Sequence, residues 1–242
     1  MIELDPIIKP LKKALGMTNK APVHRPGWRH RLGEVLLEIG IIVFAILLSI
    51  WLHDWQEQRH ERAQARQFLL GLQADLANDV REMQGDSANY AGQFRGLGYF
   101  RRLTPATQRA DSIAFFAWTL TTGIWMVPNN SRFEGLKSSG GLNLIEGEPL
   151  LASILDYYER TIPNLVVNSR FYADDKRQTI QPYLDQHLQP DHRNLLAIMQ
   201  QVPMRNYLNH RNFIPSIIGL YHVTLQQARA LRHDIGAHLA TE

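Results

Sequence analysis

Cysteine is absent from the 242 residues, which excludes disulfides, thiolate metal sites and a thiol nucleophile. Also missing is any Gly-x-Ser-x-Gly elbow, and Ser138-Ser139-Gly140-Gly141 lacks the spacing and following lysine of a phosphate-binding loop. Sustained apolar–polar alternation, the mark of a half-buried strand, occurs nowhere. Glu57-x-x-His60 has no second copy, so the paired motifs of a di-metal bundle are not met. Glu57, His60 and Glu61 read instead as a solvated helical face. His187 with His192, and His233 with His238, are five apart and miss the i, i+4 spacing of a zinc helix. No catalytic residue, metal or cofactor is therefore assigned.

What the chain does contain is an uncharged run, Ile39 to Leu52, between a basic tail and an amphipathic stretch. A bilayer core about 30 Å thick needs roughly twenty helical residues at 1.5 Å each, so the run must recruit Val35, Leu36 and Leu37. That places Glu38 at one end of the span. An ionised carboxylate inside a membrane helix costs roughly 2.5–3.5 kcal/mol, which puts Glu38 at the cytoplasmic interface or in a helix-association or proton-linked contact. Glu34 lies one turn earlier. Trp28 on one side and Trp51 and Trp55 on the other suit interfacial aromatic belts. Lys9, Lys12, Lys13, Lys20, Arg25, Arg29 and Arg31 precede the run and favour a cytoplasmic N-terminus, with Arg59, Arg62 and Arg66 as a weaker opposing signal. Trp51-Leu52-His53-Asp54 offers no small-x-small cleavage site, so the anchor is expected to stay attached.

Charge supports the same division. Seven of the 26 Lys and Arg residues and four of the 23 Asp and Glu residues precede residue 52, so the remainder of the chain is neutral and the pI of 9.2 belongs to the tail. A nucleic-acid binder carries its basic stripe on the folded domain; here the excess sits beside a membrane segment, which points to anionic lipid. Ile7, Ile8, Leu11 and Leu15 among the lysines suggest an interfacial helix that Pro10 limits.

The fold class expected is all-α: a tail over 1–33, an anchor over 34–54 that continues into a stalk, and a helical-bundle domain over 55–242. Leu69, Leu72, Leu76, Val80 and Met83 form one stripe, read as the core face of a bundle rather than a coiled coil between subunits. A second helix is expected over Ala88–Leu103. The uncharged stretch from Ser112 to Val127 reads as a core helix with Ile113, Phe116, Leu120, Ile124 and Val127 inward, against the alternative of a second span. Ser131 and Glu134 have capping-box spacing, and Gly140 or Gly141 closes the short helix that follows. Pro149 opens a helix through Arg160, and Pro163 kinks it before a run from Asn164 to Leu188. Asp191 starts a helix that Pro203 ends, and a final helix runs from Pro215 to Leu239. Asp174, Asp175, Lys176 and Arg177 read as an exposed helical face.

Gly33-Glu34-Val35, the apolar run, Trp55-Gln56-Glu57-Gln58-Arg59, the segment Phe133 to Ile145 and Tyr157-Tyr158 together resemble a bacterial single-span membrane-protein family of unknown function. Its pattern is a Gly-Glu-led anchor, a Trp-containing polar flank and a Leu-Lys-Ser-Ser-Gly-like turn, from which Glu38 departs at a usually apolar position. The resemblance implies an inner-membrane protein with a periplasmic domain and brings no activity. Candidate functional residues are Glu34, Glu38, Trp118, Trp125, Arg132, Glu134, Lys137, Tyr157 and Tyr158. The expected role is a non-enzymatic interaction or scaffold domain with an unidentified protein partner, possible self-association and no nucleic acid. The alternatives are a sensor-like bundle with a pocket near Trp118, Trp125, Tyr157 and Tyr158, and a hydrolase or metal enzyme whose site is assembled from distant residues.

Overall fold

The computed structural model describes residues 28–210 and 212–241, with side chains described from residue 37 onward except His210. Residues 1–27 of the tail, with its interfacial helix, and the side chain of Glu34 lie outside the described residues. The chain is all-helical, with no strand among those residues. It divides into two units between Gln58 and Arg59.

Helix α1 spans Trp28–Arg101. Within the first unit it is long and apolar enough to cross a membrane: its best window averages a hydropathy of 1.9, and none of that window is buried. Phe44 is 66% exposed and Leu47 59%, and neighbouring Ile46 and Leu48 on other faces are also exposed. Glu38 is exposed as well.

In the second unit the stripe Leu69, Leu72, Leu76, Val80 and Met83 is buried throughout, so it serves the domain's own core. The separate helix expected from Ala88 does not exist; α1 runs on through Gly85-Asp86-Ser87. A helical glycine costs about 1 kcal/mol relative to alanine, which the burial of Met83 and Tyr90 on either side outweighs.

After α1 come two short helices, α2 (Ala110–Phe116) and α3 (Trp118–Thr121), and then an extended segment to Asn130. The single helix expected over 112–127 is thus corrected, and the second-span alternative falls with it, since only α1 meets the length and hydropathy needed among the described residues. Thr121, Thr122, Gly123 and the constraint of Pro128 on Val127 all disfavour helix. From Ile124 onward burial alternates, with Ile124 and Met126 inside and Trp125 and Val127 outside. Val127 therefore leaves the expected core set.

Helix α4 (Ser131–Ser138) starts without the expected capping box. Asn130 occupies the cap with a helical backbone (φ −99°, ψ −4°) and no side-chain bond, a geometry that leaves Ser131 inside the first turn. Gly140 at φ +74° closes it, ahead of a 3-10 turn over Gly141–Leu144.

From Glu148 to His187 the chain is continuously helical, as α5 (Glu148–Asp156), α6 (Ile162–Asp175) and α7 (Gln181–His187) joined by π turns at Tyr157–Thr161 and Lys176–Ile180. Each π turn ends two residues before a proline, Pro163 or Pro182. A proline lacks the N–H for the carbonyl four residues back and its ring collides with it; the widened turn relieves both. Asp191 starts no helix: its Oδ1 accepts from the Arg193 amide at 3.1 Å, and α8 (Leu195–Met199) begins later. Pro203 opens α9 (Val202–His210) rather than ending a helix, because the first turn needs no N–H there. Helix α10 (Phe213–Thr241) starts two residues before the expected Pro215, buries Ile217, Leu225, Ala228, Leu231 and Ile235, and packs along α5, its π turn and α6.

Two glycines on α1 give opposite expectations. A Cβ on Gly96 would lie 2.4 Å from the buried Thr119 side chain, whereas around Gly85 there is open space. Gly96→Ala should destabilise the domain by roughly 1–3 kcal/mol through overpacking. Gly85→Ala should stabilise it by about 0.5–1 kcal/mol through helix propensity. Denaturant unfolding of the full chain in detergent, followed by circular dichroism, checks both.

Candidate functional site

An extended segment has no helical ladder, so its backbone polar groups need other partners. In the segment from Thr122 to Asn130 those partners are side chains, mostly from one face of α1. The Gln93 amide donates to Thr122 O at 2.8 Å, and the Tyr90 hydroxyl donates to Ile124 O at 2.6 Å. The Val127 amide donates to Glu82 Oε1 at 3.1 Å. Asn129 donates from its backbone (3.0 Å) and its side chain (2.6 Å) to Asp79 Oδ1. Next in line Arg132 pairs with Asp75 at 2.9 Å, its guanidinium lying where a Cβ on Gly71 would be. Residue numbers rise along the strap as they fall along α1, so the two run antiparallel. Positions 79, 82, 86, 90 and 93 are spaced three or four apart, a single helical stripe. Its remaining member, Asp86, accepts from the Tyr221 hydroxyl of α10 at 2.9 Å.

At one end of the strap Lys176 is fully buried. Its ammonium donates to Thr122 O at 2.9 Å and stands 5.6 Å from the centre of the Tyr172 ring. Burial holds this amine down to about 7, against an ordinary 10.5. The expectation of an exposed face over 174–177 is corrected here: Arg177 is exposed and pairs with Asp174 at 2.8 Å, whereas Lys176, at the head of a π turn, points inward. Tyr90, Tyr172 and Tyr221 pack around the same region, with ring centres 6.0 and 5.6 Å apart. A cleft of about 130 Å³ lies alongside, between Thr121 at the end of α3, Gly123 and Trp125 of the strap, and Ala173, Asp174 and Arg177.

At the other end Asp79 is fully buried. Burial raises its carboxyl above the usual range, against the opposing pull of its bonds from Asn129. Its second oxygen has no partner, and neither do the buried hydroxyls of Tyr157 and Tyr158. Burial raises both phenols first, and the charge of Asp79 raises them further. Tyr158 stacks on Phe133 with centres 4.6 Å apart and meets Tyr157 edge-on.

Of the nine residues singled out in the sequence, Glu34 and Glu38 belong to the first unit, and the other seven scatter around this frame. Arg132, Tyr157 and Tyr158 gather at the Asp79 end. Trp118 sits at the head of the strap against Gly92, and Trp125 is exposed at the small cleft. These four aromatics do not line one cavity, because Tyr157 and Tyr158 belong to the packed core. Glu134 is exposed, and Lys137 is exposed and pairs with Glu159 at 2.6 Å, which raises its ammonium. Asp79, Tyr90, Gln93 and Lys176 were not singled out; the signal that marks three of them is the polar stripe on α1, with the period of the apolar stripe beside it. Among the described residues no group of three or more His, Asp or Glu gathers as for a metal ion. No family model, curated protein or solved structure matches the chain.

The buried amine has a signature in stability. Between about 7 and 10.5 the unfolded chain binds a proton at Lys176 that the folded chain lacks, so stability rises with pH across that interval. Lys176→Met should remove this rise while leaving the fold intact. Denaturant midpoints of both proteins from pH 6.5 to 9.5 check it, and parallel curves would contradict it.

Proposed function

We propose that this is a single-pass protein of the bacterial inner membrane, with a cytoplasmic basic tail and a periplasmic helical domain that works as a non-enzymatic interaction or scaffold module. One observation carries the reading: between Leu37 and Leu52 the apolar side chains are exposed on every face of the helix, while the domain's own stripe is closed by its own helices. Fourteen consecutive uncharged, uncovered residues are stable where lipid replaces water around them. The distribution of Lys and Arg supports a cytoplasmic tail held to anionic lipid, and the resemblance to single-span bacterial proteins supports the same layout. The protein partner, which includes a second copy of the chain, is left to crosslinking in native membranes. Alkaline phosphatase fused after Glu242 is expected to be active and a cytoplasmic reporter at the same point inactive. The reverse pattern withdraws the orientation, and recovery of the chain in the soluble fraction without detergent withdraws the anchor.

A second reading, a sensor-like bundle that holds a small polar molecule, is favoured by one feature. Three buried polar groups near one another, the second oxygen of Asp79 and the hydroxyls of Tyr157 and Tyr158, lack partners in a region where an unpaired group costs roughly 1–3 kcal/mol. Native mass spectrometry of the purified full chain should then show a small adduct that Tyr157→Phe with Tyr158→Phe abolishes. A bare mass for the unaltered chain withdraws this reading.

A further inference from the structure

On the side of α1 away from its polar stripe, α1 and α10 form a groove of about 620 Å³. That volume lies within the usual range for small-molecule sites. Gln73 and Gln84 of α1 and Arg229, Arg232, His233 and Gly236 of α10 line it, and no carboxylate does. The wall is built to be close: a Cβ on Gly236 would meet the Gln73 amide nitrogen at 3.0 Å, and that nitrogen donates to Arg232 O at 3.3 Å.

The charge in the groove is uncompensated. Arg229 and Arg232 have no ion pair among the described residues, and the one acidic residue of α10, Asp234, lies 3.4 Å from His233 Nδ1. Positions 229, 232 and 233 are related as i, i+3 and i+4, so the two guanidinium groups and the imidazole share one turn of one face. A single arginine satisfies a carboxylate's two coplanar oxygens bidentately. A tetrahedral phosphate presents three oxygens in different directions, which suits the two separate guanidinium groups around a helical turn. Val80 and Ala237 supply an apolar floor for whatever carries it.

We propose that this groove binds a phosphate-bearing ligand, with Arg229 and Arg232 donating to the phosphate oxygens. The same chemistry is offered by a free phosphorylated molecule and by a phospholipid headgroup. The test titrates the purified full chain in nonionic detergent with inorganic pyrophosphate, with monomeric dihexanoyl phosphatidic acid, and with succinate as a carboxylate control. Saturable binding of a phosphate probe is expected, and Arg229→Gln with Arg232→Gln, both exposed and unbonded, should raise its Kd at least about tenfold with an unchanged melting temperature. Binding of pyrophosphate assigns a free phosphate, and binding of phosphatidic acid alone assigns a headgroup. Absence of saturable binding to either, binding that the double substitution leaves unchanged, or equally tight binding of succinate overturns the proposal.

Discussion

The seating of an extended strap on the first helix is the constraint on which the rest of the domain depends. A segment without helical or strand partners enters a core only if its N–H and C=O groups are answered, since each one left bare costs on the order of 1–3 kcal/mol. Here the answers come from Asp79, Glu82, Tyr90 and Gln93, all on one line of α1. Once the strap is fixed, Ile124 and Met126 enter the core, Trp118 and Thr119 settle against Gly92 and Gly96, and Arg132 reaches Asp75. The floor beneath the strap is the long helical run from Glu148 to His187.

That run contributes through its two defects. Each π turn inserts extra backbone ahead of a proline and thereby changes which side chains face inward. At Tyr157–Thr161 two consecutive tyrosines become buried together; at Lys176–Ile180 a lysine does. Tyr157, Tyr158 and Lys176 thus stand at the heads of the turns that precede Pro163 and Pro182.

Much of the helical framework was legible in the residues. The apolar stripe from Leu69 to Met83, the opening of a helix at Pro149, the left-handed Gly140 and the last helix all follow from short-range rules of spacing, capping and backbone freedom. What local rules could not deliver was every feature settled by long-range hydrogen bonding. The stretch from Ser112 to Val127 has helical periodicity, yet from Thr122 onward it becomes a strap because α1 offers side-chain partners 29 to 45 positions earlier. Gly85-Asp86-Ser87 looks like a break, yet packing on both sides carries α1 through it. Lys176 sits among charges and looks solvated, yet it is buried at the head of a π turn and donates to the strap at Thr122 O. Of the site, the Arg132, Tyr157 and Tyr158 corner was within reach of the sequence, whereas its partner Asp79 was hidden in what looked like a solvated helix face.

Burying a lysine at one end of the strap and an aspartate at the other is a poor way to gain stability, since desolvation of each ion costs several kcal/mol and an apolar pair of similar volume often serves as well. Both charges act on the strap's register. A slip of one residue would exchange the buried Ile124 and Met126 for the exposed Trp125 and Val127. Apolar packing alone discriminates weakly between those arrangements, because Trp and Val also prefer burial. A slipped strap, however, takes Thr122 O away from Lys176 and the Asn129 donors away from Asp79, stranding two buried polar groups at once. The penalty that makes these groups costly in the native register is larger in every other, and it is this difference, rather than their own contribution, by which they specify a single seating of the strap.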